Sequence, residues 1–295
     1  VDRSFALRER AFDRPLAEEL RAGAGPQGAD GVDLHWLGQA GFVITGGGHR
    51  LLIDPYLSDS LARKYRGSRY GHVRMMASPI APEDIDRVDL VLCTHRHTDH
   101  MDPDTLQPLA ARFPRLRFVV PAASIEEARK RCGVGDDRLL PVRAGRPVEP
   151  LPGLVVTPLP SAHESLQVDA EGRHEWLGYL VALGGVRLYH SGDCIPFPGL
   201  EDAVRRLAPD LALLPVNGRD GERSGNGVPG NFTLDEAVAL CRRSGIPAMV
   251  AHHYGLFDFN TVPPAVIDAR IAGEAAHGGL DLHRARLGVR LQAAR

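Results

Sequence analysis

Immediately after the apolar run VDLVLC the chain reads Thr94-His95-Arg96-His97-Thr98-Asp99-His100. No other stretch constrains the fold as much. If these three imidazoles and the carboxylate were buried as ordinary core, each polar atom would need its own hydrogen-bond partner. Imidazole and carboxylate are instead the donor types that suit zinc, iron and manganese. A surface turn that happens to be rich in histidine would not account for the position at the end of a buried strand. Alternate strand residues point the same way, so His95 and His97 are placed to grip one ion together. Asp99 and His100 then turn toward a second position.

The same arrangement recurs along the chain. Ser161-Ala162-His163-Glu164 follows the strand LVVTPLP, Ser191-Gly192-Asp193 follows VRLYH, and Ala251-His252-His253-Tyr254-Gly255 follows a run ending in AMV. Taken singly, a lone histidine is usually structural and a Ser-Gly-Asp turn is ordinary. Taken together, four strands each deliver ligand-type residues at their C-terminal ends, where open α/β sheets build sites. Gly192 permits a sharp bend, and Asp193 can bridge two ions with its two oxygens. Glu164 is a candidate to orient the His163 imidazole. Adjacent strand residues face opposite sides, so one of His252 and His253 completes the second position.

Short apolar runs alternate with turns and helices from Val32 onward. VDLHWLGQAGFVI, HRLLID, VDLVLCT, LRFVVP, GLVVTPL, LGYLVAL, VRLYHS, LALLPV and AMVAHH read as strands of a buried sheet. DPDTLQPLAARF, SIEEARKRC, GLEDAVRRLA and TLDEAVALCRRS read as helices, the last opened by a Thr233–Glu236 capping box and stopped at Gly245. This alternation favours an α/β or αββα sandwich. The spacing of Phe5, Leu7, Ala11, Phe12, Leu16 and Leu20 predicts a helix over Ser4–Arg21. AGAGPQGADG then reads as a connector, giving an N-terminal helical arm and linker over 1–31 and a main domain over 32–295. The long segment from Ser58 to Arg87 carries Arg63, Lys64, Arg66, Arg69, His72 and Arg74. A loop of that length in a compact domain is more often functional than not.

Composition sets the class of partner. A hydrophobic fraction of 43% and a net charge of −2 describe a globular chain with no basic excess to draw nucleic acid or an anionic membrane. Cys93, Cys132, Cys194 and Cys241 are scattered, which reads as reduced thiols of a cytoplasmic protein. No run approaches the ~20 apolar residues of a membrane span, and the N-terminus lacks a secretory pattern. A homo-oligomer is compatible with all of this.

THRHTDH resembles the HxHxDH signature of the metallo-β-lactamase superfamily, and His163, Asp193 and His253 follow in that family's order. The likeness spans Val32 to His283. It implies a metallo-β-lactamase-like four-layer αββα sandwich. It also implies one ion on His95, His97 and His163, a second on Asp99, His100 and His253, and Asp193 between them. His253 is preferred to His252 because His253-Tyr254-Gly255-Leu256-Phe257 is similar to the His-aromatic-Gly-x-Phe ending of several branches. Within the superfamily, WLGQAGF, LLIDPYLSDSLARKY, HVRMM, LYHSGD, LLPVNGRD, GNFTLDEA and HHYGLFDFN resemble the L-ascorbate-6-phosphate lactonase branch. Arg96 and Cys194 depart from that branch's pattern at positions that are not ligands.

The resemblance implies a hydrolase with one or two divalent ions, zinc or manganese before iron, and a metal-activated hydroxide. Asp99 is the candidate acceptor for the water's proton. The expected substrate is a small anionic molecule, namely the lactone of an anionic sugar acid, phosphorylated or not, with Arg219, Asn217, Tyr254 and Asn231 as candidate binding residues. Asn260 is a further candidate, and Trp36, Phe42 and Phe232 read as core. The rival readings are a phosphodiesterase of the phospholipase D-like branch and an iron-bound redox protein on the same fold.

Overall fold

The computed structural model describes residues 5–23 and 30–295. Its strands are β1 (Ala6–Ala11), β2 (Val32–Gly38), β3 (Gly41–Gly46), β4 (His49–Ile53), β5 (Leu90–Leu92), β6 (Arg117–Pro121) and β7 (Leu139–Val142). There follow β8 (Val148–Leu151), β9 (Leu154–Pro160), β10 (Leu177–Leu183), β11 (Val186–His190), β12 (Leu211–Pro215), β13 (Ala248–His252), β14 (Asp281–Arg284) and β15 (Val289–Ala294). They form one sheet in the order β1-β15-β2-β3-β4-β5-β6-β7 and a second in the order β14-β13-β12-β11-β10-β9-β8.

Period-two alternation of apolar residues sorts these sheets into layers. In the first sheet Phe42, Ile44, Leu51, Ile53 and Leu90 share a core with residues of the second sheet. Their strand neighbours Val43, Leu52 and Val91 pack the other way, with Leu20, Leu106 and Leu109. Those partners lie on α1 (Leu16–Ala22) and α3 (Pro103–Arg112), with α2 (Ser60–Lys64) between them in the chain and α4 (Ile125–Cys132) packed beside α3. On the second sheet α5 (Leu200–Leu207) follows β11, and α6 (Gly221–Gly225) follows β12. There α7 (Leu234–Ser244) covers β12 and β13, and α8 (Pro264–His277) covers β14. The result is the αββα sandwich expected from the sequence. Trp36, Phe42 and Phe232 are buried core.

Direction matters more for the site than layering does. β4, β5, β6 and β7 run parallel, as do β11, β12, β13 and β14. β9 is antiparallel to β10, which is antiparallel to β11, so β9 runs with the second group. The loops after β4, β5, β9, β11 and β13 therefore open along one edge of the sandwich. Bonds between the sheets tie that edge together: Tyr179 Oη donates to the Cys93 carbonyl at 2.8 Å, and Leu177 N to the Thr94 carbonyl at 3.1 Å.

Eight of the nine expected strands are present as single strands, and the ninth, VDLHWLGQAGFVI, folds into two, β2 and β3, paired antiparallel. The four expected helices are present, including the capping box, in which Thr233 and Glu236 each accept from the other's backbone N–H. The N-terminal helix is corrected. Only Leu16–Ala22 is helical; Ala6–Ala11 is a strand paired antiparallel with β15 at the edge of the first sheet. Along that strand only Leu7 is buried, and it joins the core between the sheets. Ser4 and residues 24–29 of the connector lie outside the described residues. Among the described residues no helix is long and apolar enough to cross a membrane, and the four cysteines are free and buried.

Phe42 stands between the sheets, its ring 5.5 Å from that of His252 and 6.2 Å from that of His190. Truncation there empties the inter-sheet core. Phe42→Ala is expected to cost about 3–5 kcal/mol in urea denaturation. A loss below about 1 kcal/mol would show that the sheets are held together elsewhere.

Candidate metal centre

Seven side chains from the loops after β5, β9, β11 and β13 meet at this edge. His95, His97, His163 and Asp193 each offer a ligand atom, and these atoms lie within 4.8 Å of one another; Asp99, His100 and His253 form a second group of the same kind. Both groups are those expected from the sequence. β5 ends at Leu92, so His95 to His100 are delivered by the loop beyond the strand and not by strand alternation.

Asp193 lies between the groups. Its Oδ2 is 3.4 Å from His163 Nε2, while its Oδ1 is 3.1 Å from His253 Nε2 and 3.3 Å from His100 Nε2. The bend that delivers it needs Gly192, which has φ 61; a Cβ there would stand 2.8 Å from both the Leu177 carbonyl oxygen and Thr94 Cβ. His253 also takes a left-handed backbone, at φ 61, and its N–H is bound by the Gln39 carbonyl at 3.0 Å. Strain of that kind persists only where the surroundings enforce it.

A layer of supporting groups decides which ring nitrogen faces inward. Thr94 Oγ1 donates to Asp54 Oδ2 at 2.6 Å, so it accepts from His95 Nδ1 at 3.0 Å. His100 Nδ1 donates to Asp54 Oδ2 at 2.7 Å, and Thr94 N donates to Asp54 Oδ1 at 2.7 Å. His163 Nδ1 donates to the Gly230 carbonyl at 3.0 Å. In all three rings Nδ1 carries the proton and Nε2 is presented to the centre, the arrangement in which ligand histidines are oriented by outer partners. Gln39 Nε2 donates to Asp99 Oδ2 at 2.9 Å.

Electrostatics agrees with a ligand role. Burial, reinforced by His100 and His97, holds His95 well below the usual imidazole range; burial and His163 hold His97 at about 4. Burial also lowers His163. These rings are neutral, as ligation requires. Burial would raise Asp99 and Asp193, but the facing His100 and His253 hold both carboxyls below their ordinary value. Burial likewise opposes a charge on His100, yet Asp193, Asp54 and Asp99 hold its pKa well above the usual one. The buried Nε2 atoms of His95, His100 and His253, and Asp193 Oδ1, have no hydrogen-bond partner within the chain. Several such atoms converging on one point would be costly unless a cation satisfied them, so the donor set fits a metal.

The centre opens into a cavity of about 730 Å³ lined by His97, Asp99, His163, Asp193 and His253, and by Lys64, Arg69 and His72 of the long loop. The four expected substrate residues are elsewhere. Among the described residues lining this cavity, Arg219, Asn217, Tyr254 and Asn231 do not appear. Arg219 is held by both Glu236 oxygens, at 2.6 and 2.7 Å, and packs where a Cβ on Gly230 would collide with it. Asn231 donates to Asn217, which donates to Asn260; Tyr254 stacks on Trp36 and bonds the Ala285 carbonyl. Asn260 does line the cavity, but its side-chain oxygen is taken by Asn217 and Arg223. Glu164 is exposed, and the Gly230 carbonyl takes its expected place at His163. His252 is buried on the other side, stacked on His190 at 5.0 Å. Asp54, Thr94, Gln39 and Gly230 were not singled out from the sequence. Asp54 follows the strand HRLLI as Asp193 follows VRLYH, a signal that could have found it.

A family model for the β-lactamase superfamily domain matches residues 49–254. A UPF0173 metal-dependent hydrolase of Aeropyrum pernix is 29% identical over 238 residues, covering 76% of this chain and 83% of the relative. A metallo hydrolase of Ignicoccus hospitalis superposes with a TM-score of 0.66 at 20% identity, covering 89% of this chain and 98% of its own. CmlA, a diiron β-hydroxylase of Streptomyces venezuelae, superposes with a TM-score of 0.62 at 17% identity, covering 89% of this chain and 53% of its own. The last two likenesses concern the fold.

Two substitutions separate the roles. His253→Ala is expected to lose metal, whereas His252→Ala retains metal content by mass spectrometry and lowers the melting temperature; the reverse pattern would exchange the two. Asp54→Asn leaves every ligand in place but loosens His100 and Thr94, and is expected to weaken metal affinity by about 10–100-fold. Unchanged affinity would remove Asp54 from the site.

Proposed function

The chain belongs to the β-lactamase superfamily, and from that premise we propose that it is a metal-dependent hydrolase using two divalent ions that share Asp193. The observation that supports this reading most is the convergence of partnerless, buried Nε2 atoms on a carboxylate whose two oxygens face different donor groups. His95, His97 and His163 would hold one ion, Asp99, His100 and His253 the other. Such ions, when bound, lower the pKa of water toward about 7 and stabilise charge on the attacked group.

The chain's own residues supply the rest. Asp54 and Gly230 keep ring nitrogens aimed inward. Gln39 ties one oxygen of Asp99, which fixes the carboxylate's orientation at the cavity floor. Asp99 is the residue placed to take a proton from the attacking water, because it is ionised and lines the cavity. Lys64, Arg69, Arg96 and Arg131 line the same space. The three arginines are paired with glutamates, and Lys64, which has no such partner among the described residues, favours a small anionic substrate. With the resemblance of WLGQAGF and LLIDPYLSDSLARKY to the lactonase branch, this supports opening of the lactone of an anionic sugar acid.

The test pairs metal content with turnover on lactone and phosphodiester panels. Lactone hydrolysis that is abolished by a chelator and restored by zinc or manganese is the expected result. Turnover confined to phosphodiesters would replace the lactonase reading, and bound iron without hydrolysis on either panel would replace the hydrolase reading by a redox one.

A further inference from the structure

One wall of the cavity is aromatic, and the hydrolytic centre makes no use of it. Tyr65 stacks on His72, with ring centres 4.4 Å apart and planes at 23°. His72 meets Phe257 and Phe259 edge-on at 4.9 and 4.7 Å, and Tyr70 lies 4.7 Å from Phe259. Cations stand at both ends of this stack: Lys64 Nζ is 4.9 Å from the Tyr65 ring centre, and the Arg69 guanidinium 5.5 Å from that of Tyr70. Lys64, Tyr65, Arg69, Tyr70 and His72 line the cavity that contains the metal-ligating side chains.

The cations of this cavity are not equivalent. Arg69 is paired with Glu222, Arg96 with Glu175 and Arg131 with Glu127. Lys64 is the lining cation for which the described residues provide no carboxylate, and it is exposed. Its ammonium can therefore take an anion without giving up an internal partner.

His72 is also held in an unusual state. Its backbone is left-handed, at φ 51, which side-chain-bearing residues rarely adopt. Nδ1 lies 2.6 Å from the Tyr70 carbonyl oxygen, and since a carbonyl can only accept, Nδ1 carries the proton. Burial lowers the ring's pKa, so the ring is neutral at pH 7 and Nε2 keeps its lone pair. The strained turn thus presents a hydrogen-bond acceptor on a wall otherwise made of ring faces and cations.

We propose that Lys64, Tyr65, Tyr70 and His72, backed by Phe257 and Phe259, form a recognition subsite for an organic anion. In it Lys64 takes the anionic group, the rings cover an adjoining C–H face, and His72 Nε2 accepts from a neighbouring hydroxyl or N–H. The part of the molecule that reacts lies at the metal centre, so the inference rests on the cavity being the active site. Lys64 and His72 are specificity residues here, and neither belongs to the hydrolytic machinery.

The test is calorimetric binding of gluconate and glucarate to zinc-loaded protein, with metal content checked in every sample. The two ligands differ in a second terminal carboxylate, and each has one carboxylate for the metals and hydroxyls for His72. Glucarate is expected to bind about five-fold tighter than gluconate, the scale of an accessible ion pair. Lys64→Ala should remove that difference with metal content unchanged. His72→Phe should weaken both ligands by up to about ten-fold, the worth of one hydrogen bond. His72→Asn, which tolerates the left-handed backbone but cannot reach as far, should do the same without loss of melting temperature. Glucarate binding no better than gluconate, including no binding of either, overturns the subsite, as does a Lys64→Ala protein that keeps the preference. Turnover is not read, so absence of hydrolysis with the preference intact would overturn the proposed activity and leave the subsite standing.

Discussion

The two oxygens of Asp193 face opposite ways, one toward His163 and one toward His100 and His253, and the rest of the site is arranged around that carboxylate. A buried carboxylate is costly unless opposite charge surrounds it. Here His100 and His253 hold it ionised, yet their Nε2 atoms and Asp193 Oδ1 have no hydrogen-bond partner within the chain. Charge complementarity without hydrogen-bond satisfaction is the signature of a site built to receive cations.

That carboxylate reaches the centre only because strands from both sheets end along one edge. Parallel β4 and β5 bring Asp54 and the His95–His100 loop, while β9, β11 and β13 bring His163, Asp193 and His253. The backbone takes left-handed turns at Gln39, Asp54, Gly192 and His253, all at this edge. Strain concentrated there is offset by the apolar core between the sheets, in which Phe42, Ile44, Leu51 and their partners are removed from water.

The clustering residues and the layers were legible in the sequence because both are local signals. An apolar run followed at once by His or Asp needs no knowledge of the rest of the fold, and the αββα order follows from period-two strands alternating with capped helices. What was hidden depends on distant partners. Ala6–Ala11 reads as part of an amphipathic helix, but β15, from the other end of the chain, pairs with it and overrides the spacing. Val148–Leu151 and Asp281–Arg284 are short, and each has one buried residue, too little periodicity to register. Arg219 looks free in the sequence, but Glu236, brought close by α7, occupies its guanidinium. Asp54 carries little signal by itself, because a single acidic residue after a strand is common; its meaning comes from Thr94 and His100, which the fold places against it.

The central claim is that Asp193 joins two ion sites in one chain. Native mass spectrometry of protein reconstituted with zinc and freed of excess metal tests it most directly. The account predicts a mass increase of two zinc ions per chain in the wild type, and loss of both from Asp193→Ala, because each donor group loses one oxygen of the shared carboxylate. A wild-type chain that saturates at one ion, or an Asp193→Ala chain that still holds two, would contradict it.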